Sequence, residues 1–316
     1  MAQPTLSSVH VDRPLTNYSL AYMNKQESYI ADKVFPTIPV TNKSDSYYIY
    51  TKNDWFRDEA QRRAPATESA GSGYNLSTTT YNCDVYAIHK DLDDQTSANA
   101  DQVLNMEQDA TRFVTNRMRL KHEVEWAATY FVTGVWGTST TPSNLWDVYS
   151  TSTPMTDVQT GVKTILSTTG IEPNTGVIGY DVWSALLNHP DFIERTKYTS
   201  SDRTTLEKVA GYFGLNRIFL SKAVKATNVE NETAAYSFVQ GKHMLLCYVD
   251  PSVGPLTPTA GATFAWTGVS DGMGAEVGVA RFEMPHLRAT RIESQMAWDS
   301  KVIATDLGYF LESLVS

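Results

Sequence analysis

Cysteine is scarce: Cys83 and Cys247 are the only two in 316 residues, and they lie far apart. That excludes a disulfide-framed scaffold, and without a secretory signal in MAQPTLSSVHVDRP they read as buried free thiols in a reducing compartment. Long apolar runs are missing as well. The longest, Met244 to Val249, falls far short of the roughly 20 residues a membrane helix needs, so no membrane association is expected. Positive charge is in deficit, with 26 Lys and Arg against 35 Asp and Glu and a net charge of −9. Such a chain has no surface-wide means of neutralising phosphates, so sequence-specific or general grip on nucleic acid is not expected. Histidine is limited to six residues, none placed to argue for a catalytic triad.

The motifs of catalysis are equally thin. There is no G-x-x-x-x-G-K-S/T, which excludes a phosphate loop of the motor type. Gly272 and Gly274 open a G-x-G, but Val277 stands where the third glycine belongs and no strand-loop-helix frame surrounds it. His122-Glu123 is followed by Trp126 where a zinc protease needs its second histidine. Asp91, Asp93 and Asp94 form a small acidic knot, yet Thr96 replaces the glycine of a calcium loop. A helix N-terminus explains these carboxylates, because they favour its positive end. Gly71-Ser72-Gly73 is not a nucleophile elbow. No catalytic residue, cofactor or metal site is assigned.

What is present is a globular composition, 41% hydrophobic and 19% charged, with 11% aromatics that include 17 Tyr and 7 Trp. Rings of this kind serve either a large core or buried contact surfaces. Residues 1–45 read as an arm with anchors at Leu15, Tyr18, Leu20, Tyr22, Tyr29, Ile30, Val34 and Phe35, ending in an extended stretch set by Pro36 and Pro39. Residues 46–90 read as a long β-hairpin, out along Tyr47 to Tyr50 and back along Tyr81 to Ile88, with a charged tip between. On the return, Tyr81, Cys83, Val85 and Ala87 would share one face. An isolated hairpin is marginal in water, so this one needs a partner surface.

Residues 98–131 carry the strongest periodicity. Val103, Met106, Ala110, Phe113, Leu120, Val124, Ala127 and Phe131 form an apolar stripe, with Asp109, Arg112, Asn116, Arg119 and Glu123 opposite. That predicts a helix of roughly 25–34 residues, about 40–50 Å long, backed onto a sheet. Asn99 with Gln102 is a candidate capping box, and Asn105 a candidate break. Beyond it, Thr156 or Asp157 starts a helix ending at Gly170, Val177 to Gly179 is a strand, and Asp181 to Asn188 a helix. Thr204 or Thr205 opens another helix that Gly214 closes. Arg217 to Ser221 and Met244 to Val249 are strands, Pro251 to Gly261 a Pro/Gly-rich crossing, and Arg288 to Ser294 and Lys301 to Ala304 further strands.

The order of these parts, together with K-V-F-P-T-I-P-V at 33–40, Y-Y-I-Y-T-K-N-D-W-F-R-D-E-A at 47–60, R-A-P-A-T-E-S at 63–69, N-T-G-V-I-G-Y-D-V-W-S-A-L-L-N-H-P at 174–190 and W-D-S-K-V-I-A-T-D-L-G-Y-F-L at 298–311, resembles the major capsid proteins of tailed double-stranded DNA bacteriophages. The resemblance implies an α+β fold of the Hong Kong 97 type: arm at 1–45, extended loop at 46–90, a discontinuous peripheral domain with a spine helix at 91–154 and 266–316, and an axial domain at 155–265. It implies a non-enzymatic subunit that self-assembles into hexamers and pentamers of an icosahedral head. Its partners would be itself, scaffold and portal proteins, a decoration protein, and packaged DNA enclosed without sequence-specific binding. Assembly would take place in the host cytoplasm and the product would be the virion shell. The implied inter-subunit contacts are loop-tip residues Trp55, Phe56, Arg57, Asp58, Glu59, Arg62 and Arg63. Alternatives are a cellular nanocompartment shell of the same fold, an enzyme using Asp91, Asp93 and Asp94, and a tail or baseplate protein. Some relatives join a loop lysine to a neighbour covalently, but here Lys52 precedes the tip and none lies between Asn53 and Gly73.

Overall fold

A computed structural model describes residues 23–99, 105–197, 204–229, 232–250, 252, 257–269 and 277–316. The arm anchors before Met23 and the pair Gly272 and Gly274 lie outside these residues. In chain order come the one-turn helix α1 (Ala31–Val34), strands β1 (Thr37–Val40) and β2 (Ser44–Tyr50), helix α2 (Lys52–Trp55), strands β3 (Leu76–Asn82) and β4 (Asp84–Asp93), helix α3 (Asp94–Ala98) and the long helix α4 (Met106–Tyr130). Then follow β5 (Thr138–Thr140), α5 (Pro154–Thr169), β6 (Thr175–Ile178), α6 (Tyr180–Leu187), α7 (Pro190–Lys197), α8 (Leu206–Phe213), β7 (Arg217–Leu220), β8 (Val224–Ala226), β9 (Tyr236–Phe238) and β10 (Met244–Cys247). The chain closes with β11 (Gly261–Trp266), β12 (Gly278–Met284), β13 (Ala289–Val302) and β14 (Gly308–Leu311).

The first sheet is organised by β13. It pairs antiparallel with β4, β12 and β11, and β1 of the arm adds parallel to β11. Helix α4 lies on it, by the predicted stripe only in part: Ala110, Ala127 and Phe131 are buried and Met106 packs against the same cluster as Ala110. The buried row is Ala110, Val114, Met118, His122 and Trp126, while Phe113 stays exposed with Lys90 at 5.5 Å and Arg117 at 5.1 Å from its ring. A row of fourth residues is inclined to the helix axis, so it turns around the helix along its length. Its first half meets Leu92, Ile292 and Met296 of the sheet, and its second half meets the arm. The helix begins just after Asn105, which caps it by accepting from the Gln108 N–H at 3.1 Å; Gln102 of the candidate Asn99 box lies outside the described residues.

Glu123, assigned to the polar side by periodicity, is fully buried. Its Oε2 accepts the N–H groups of Ile30 and Ala31, both at 2.9 Å, at the start of α1, and its Oε1 accepts the Gln240 amide. Burial pushes this carboxyl above its ordinary range, against the pull of those donors. Beside it, Phe35 packs its ring against Trp126, Tyr130 and Trp136, with centroids 5.6, 4.9 and 6.2 Å away. The arm is thus pinned by one buried acceptor and one aromatic cage.

The second sheet runs β5-β14-β10-β6-β7. Strands β6, β10 and β14 are buried along their whole length, as their unbroken apolar runs require. Helices α5, α6 and α8 pack on it through Val158, Ile165, Val182, Leu186, Val209 and Phe213. Gly170 and Gly214 end α5 and α8 at φ of 70° and 74°, and the Thr205 side chain caps α8. Strand β14, unlike β12 and β13 before it, lies in the second sheet, between β5 and β10. Conversely β11, from the far end of the 155–265 segment, belongs to the first.

Candidate assembly surface

The hairpin of β2 and β3 pairs Ser44 with Asn82 through to Tyr50 with Leu76. Its return is shorter than predicted. At Cys83 the chain leaves the hairpin, and β4 joins β13 with Asp84 opposite Trp298. The alternation changes phase there: Tyr81 and Cys83 are buried but Val85 is exposed, and Tyr86, Ile88 and Leu92 face inward instead. The base of the hairpin is clamped by Phe264, whose ring lies 4.5 Å from Tyr81 and 5.3 Å from Tyr47. Both cysteines are buried, and burial pushes the Cys83 thiol up to about 11 and the Cys247 thiol up to about 12, so neither is a nucleophile at neutral pH.

From that clamp outward the hairpin has one apolar face open to solvent. Tyr48, Tyr50 and Leu76 lie on it, and Trp55 and Tyr74 continue it, with Tyr50, Trp55 and Tyr74 rings about 6 Å apart. Trp55 is one of the contacts the resemblance implies; Tyr48, Tyr50, Tyr74 and Leu76 are not among them. The available signal was the alternation of Tyr48 and Tyr50 with Tyr47 and Ile49. Phe56 is 64% exposed, its edge turned toward Gly170 at the end of α5.

The charged tip is wired mostly to itself. The Asp54 carboxylate, 2% exposed, pairs with Arg57 at 3.2 Å and accepts the Asn75 backbone and side-chain N–H groups at 2.8 and 3.1 Å. Arg57 also reaches Glu59 at 3.5 Å, and Glu59 accepts the Ser72 hydroxyl. Arg63 donates to the Thr67 carbonyl, and Lys52 pairs with Asp306, fixing the loop base to the body. Asp58 and Arg62 are exposed and have no ion-pair or hydrogen-bond partner among the described residues.

The acidic knot has structural work. Asp91 makes a bidentate pair with Arg291 at 2.7 and 2.9 Å, which holds its carboxyl below the usual range, and Asp93 caps α3 through the Thr96 N–H. Folding does assemble a serine, histidine and aspartate that sequence reading missed. Ser152 Oγ lies 2.9 Å from His189 Nε2, and Asp191 Oδ2 lies 3.8 Å from Nδ1. The proton positions are wrong for attack. Nδ1 accepts the Asp191 backbone N–H at 3.2 Å, so Nε2 carries the proton and donates to Ser152, whose own proton goes to the Val148 carbonyl at 2.8 Å. Among the described residues no helix is long and apolar enough to cross a membrane, and no group of three or more His, Cys, Asp or Glu is placed to hold a metal ion.

No protein-family model matches the chain. In sequence it is 23% identical over 264 residues to the major capsid protein of Burkholderia phage BcepMu, covering 80% of this chain and 82% of that protein. In structure it superposes on a phage-related protein from Bordetella bronchiseptica with a TM-score of 0.70 and 21% identity, over 92% of this chain and 94% of the other. The capsid chain of cyanophage P-SCSP1u gives a TM-score of 0.61 at 12% identity, over 93% and 90% of the two chains. The chain has the Hong Kong 97-type capsid fold. That fold is not confined to phages: the SrpI encapsulin of Synechococcus elongatus gives 0.60 at 13% identity, over 99% and 96%.

Proposed function

We propose that this chain is the major capsid protein of a tailed DNA phage, a structural subunit without catalytic activity. The observation that carries the reading is the match to capsid chains along nearly the whole length, in sequence to one phage and in fold to several. The open apolar face of the extended loop supports it, because contiguous exposed aromatics mark an interaction site. In this reading the first sheet with α4 forms the peripheral domain and the second sheet the axial domain. Hexamers and pentamers close into a head that encloses DNA, in the company of scaffold, portal and decoration proteins, and assembly takes place in the host cytoplasm. Loop residues Trp55, Phe56, Arg57, Asp58, Glu59, Arg62 and Arg63 meet the neighbouring subunit. The acidic balance suits a wall that must let DNA slide, since a basic one would hold phosphates.

Electron microscopy of the purified chain, with scaffold supplied, is expected to show capsomers or closed shells. A strictly monomeric species under those conditions defeats the proposal. The encapsulin likeness favours a second reading, a nanocompartment shell; packaged DNA and a portal at one vertex in particles from producing cells decide for the phage. The shell should also be held without covalent links, because no lysine stands between Asn53 and Gly73 and Lys52 is engaged with Asp306. Boiling assembled shells in detergent should return single chains of 35.1 kDa, and a ladder of multimers would show the expectation wrong.

A further inference from the structure

The deficit of positive charge in the whole chain conceals a local excess. Where the arm passes β8, the Asn24 side chain donates to the Val224 carbonyl at 2.8 Å and accepts the Val224 N–H at 3.2 Å. That sets Lys25 beside Lys225 of β8 and Lys222 just before it. Further along the arm, Lys33 Nζ lies 5.9 Å from the Phe219 ring of β7, and Arg217 Cζ lies 5.2 Å from the same ring. Between these two places the Tyr29 hydroxyl donates to Asn116 at 2.8 Å, and Arg119 follows three residues on, along the same face of α4. Lys25, Lys33 and Lys222 are exposed; Arg119, Arg217 and Lys225 are half-buried.

None of the six is in an ion pair among the described residues. The arm's own acids do not neutralise them. Glu27 gives Lys33 its backbone carbonyl and not its carboxylate, and Asp32 turns to His122 Nδ1 at 3.4 Å. Elsewhere the chain does pair its cations: Lys52, Arg57, Lys121, Arg281, Arg291 and Lys301 each have a carboxylate. With 35 acidic residues against 26 basic ones, counter-charges are plentiful. Gathered like charges repel one another, so a face that leaves them unpaired fits an anion from outside.

We infer that this face holds the phosphate backbone of duplex DNA, without reading its sequence. The inference rests on the phage reading above and adds to it the residues that touch the DNA. The cations come from three separate elements and form a strip, which matches a continuous line of phosphates. Single strands are gripped by stacking bases on aromatic side chains, but the Phe219 ring is already occupied by Lys33 and Arg217. A handful of phosphate contacts is compatible with sliding, because each is exchanged for a salt cation without a fixed register.

The test is fluorescence anisotropy of the purified chain with a labelled 40-base-pair duplex, read over a series of salt concentrations. The parent should bind with a log–log salt slope of about −3 to −5, since each neutralised phosphate contributes roughly 0.9. Lys25→Glu with Lys222→Glu should weaken binding at least about tenfold and take about 2 off that slope. Lys43→Glu with Lys163→Glu makes the same change of net charge at two other exposed positions and should leave the slope unchanged. All four positions are exposed, so circular dichroism should match the parent, and the milder Lys25→Gln with Lys222→Gln should act in the same direction. No binding by the parent at low salt, or equal losses in the two double variants, would overturn the inference. Displacement of the duplex by polyglutamate at matched charge would also overturn it, assigning the face to an acidic protein. Each of these outcomes leaves the shell reading standing, whereas a chain that binds DNA and never assembles would count against the shell reading alone.

Discussion

Replacing Glu123 with leucine is expected to lower the free energy of unfolding by about 3–5 kcal/mol, because it strands buried donors that have nowhere else to turn. The carboxylate serves the Ile30 and Ala31 N–H groups and the Gln240 amide at once. Leucine has nearly the right volume and no acceptor, so the loss isolates hydrogen bonding from packing. Glu123→Gln should cost less, about 1–2 kcal/mol, as its one carbonyl oxygen still takes the two N–H groups while its NH₂ faces the Gln240 amide. Gln240 has little freedom to turn over, since its oxygen accepts the Ser221 hydroxyl. Urea unfolding of the purified chain measures both variants. Equal midpoints for Leu and the parent would mean that the arm is held by other means.

Phe35→Ala should cost about 3–5 kcal/mol through a different route, the emptying of a fully buried ring site. The cavity cannot collapse easily. Its walls are the large side chains Trp126, Tyr130 and Trp136, and the ring also fills the space beside Gly261, where an added Cβ would stand 2.4 Å from it. Loss of the ring opens a path for water to two indoles, so tryptophan emission should move to longer wavelength along with the fall in stability. Combined with Glu123→Leu the effect should be less than additive if both changes free the same segment, as contacts within one anchored unit are coupled.

The parts of the fold legible in the sequence were those whose causes are local. Gly170, Gly214 and Thr205 mark helix ends by backbone conformation and side-chain capping, and those ends stand where expected. The apolar run at Met244 gives the buried β10 for the same reason. What failed to show depends on partners far along the chain. The change of phase at Cys83 is dictated by β4 pairing with β13, with Asp84 opposite Trp298. Strand β12, with Val279 and Phe282 exposed, has no apolar alternation strong enough to announce itself. Glu123 looked like surface because periodicity counts charge as exposure, whereas its donors come from the arm and from Gln240. At the loop, most of the charged residues are paired, while the apolar strip beside them stays open to solvent.

The place of β14 bears on the order in which the second sheet can be completed. The strand lies between β5 and β10, yet it is made of residues 308–311, far along the chain from both. Until they emerge, β10 has an empty flank and the buried faces of Tyr309, Phe310 and Leu311 are missing from both sides of the second sheet. Pairings between distant segments form late and slowly. A ribosome that stalls or terminates before Gly308 therefore releases a chain whose second sheet is unfinished at its centre.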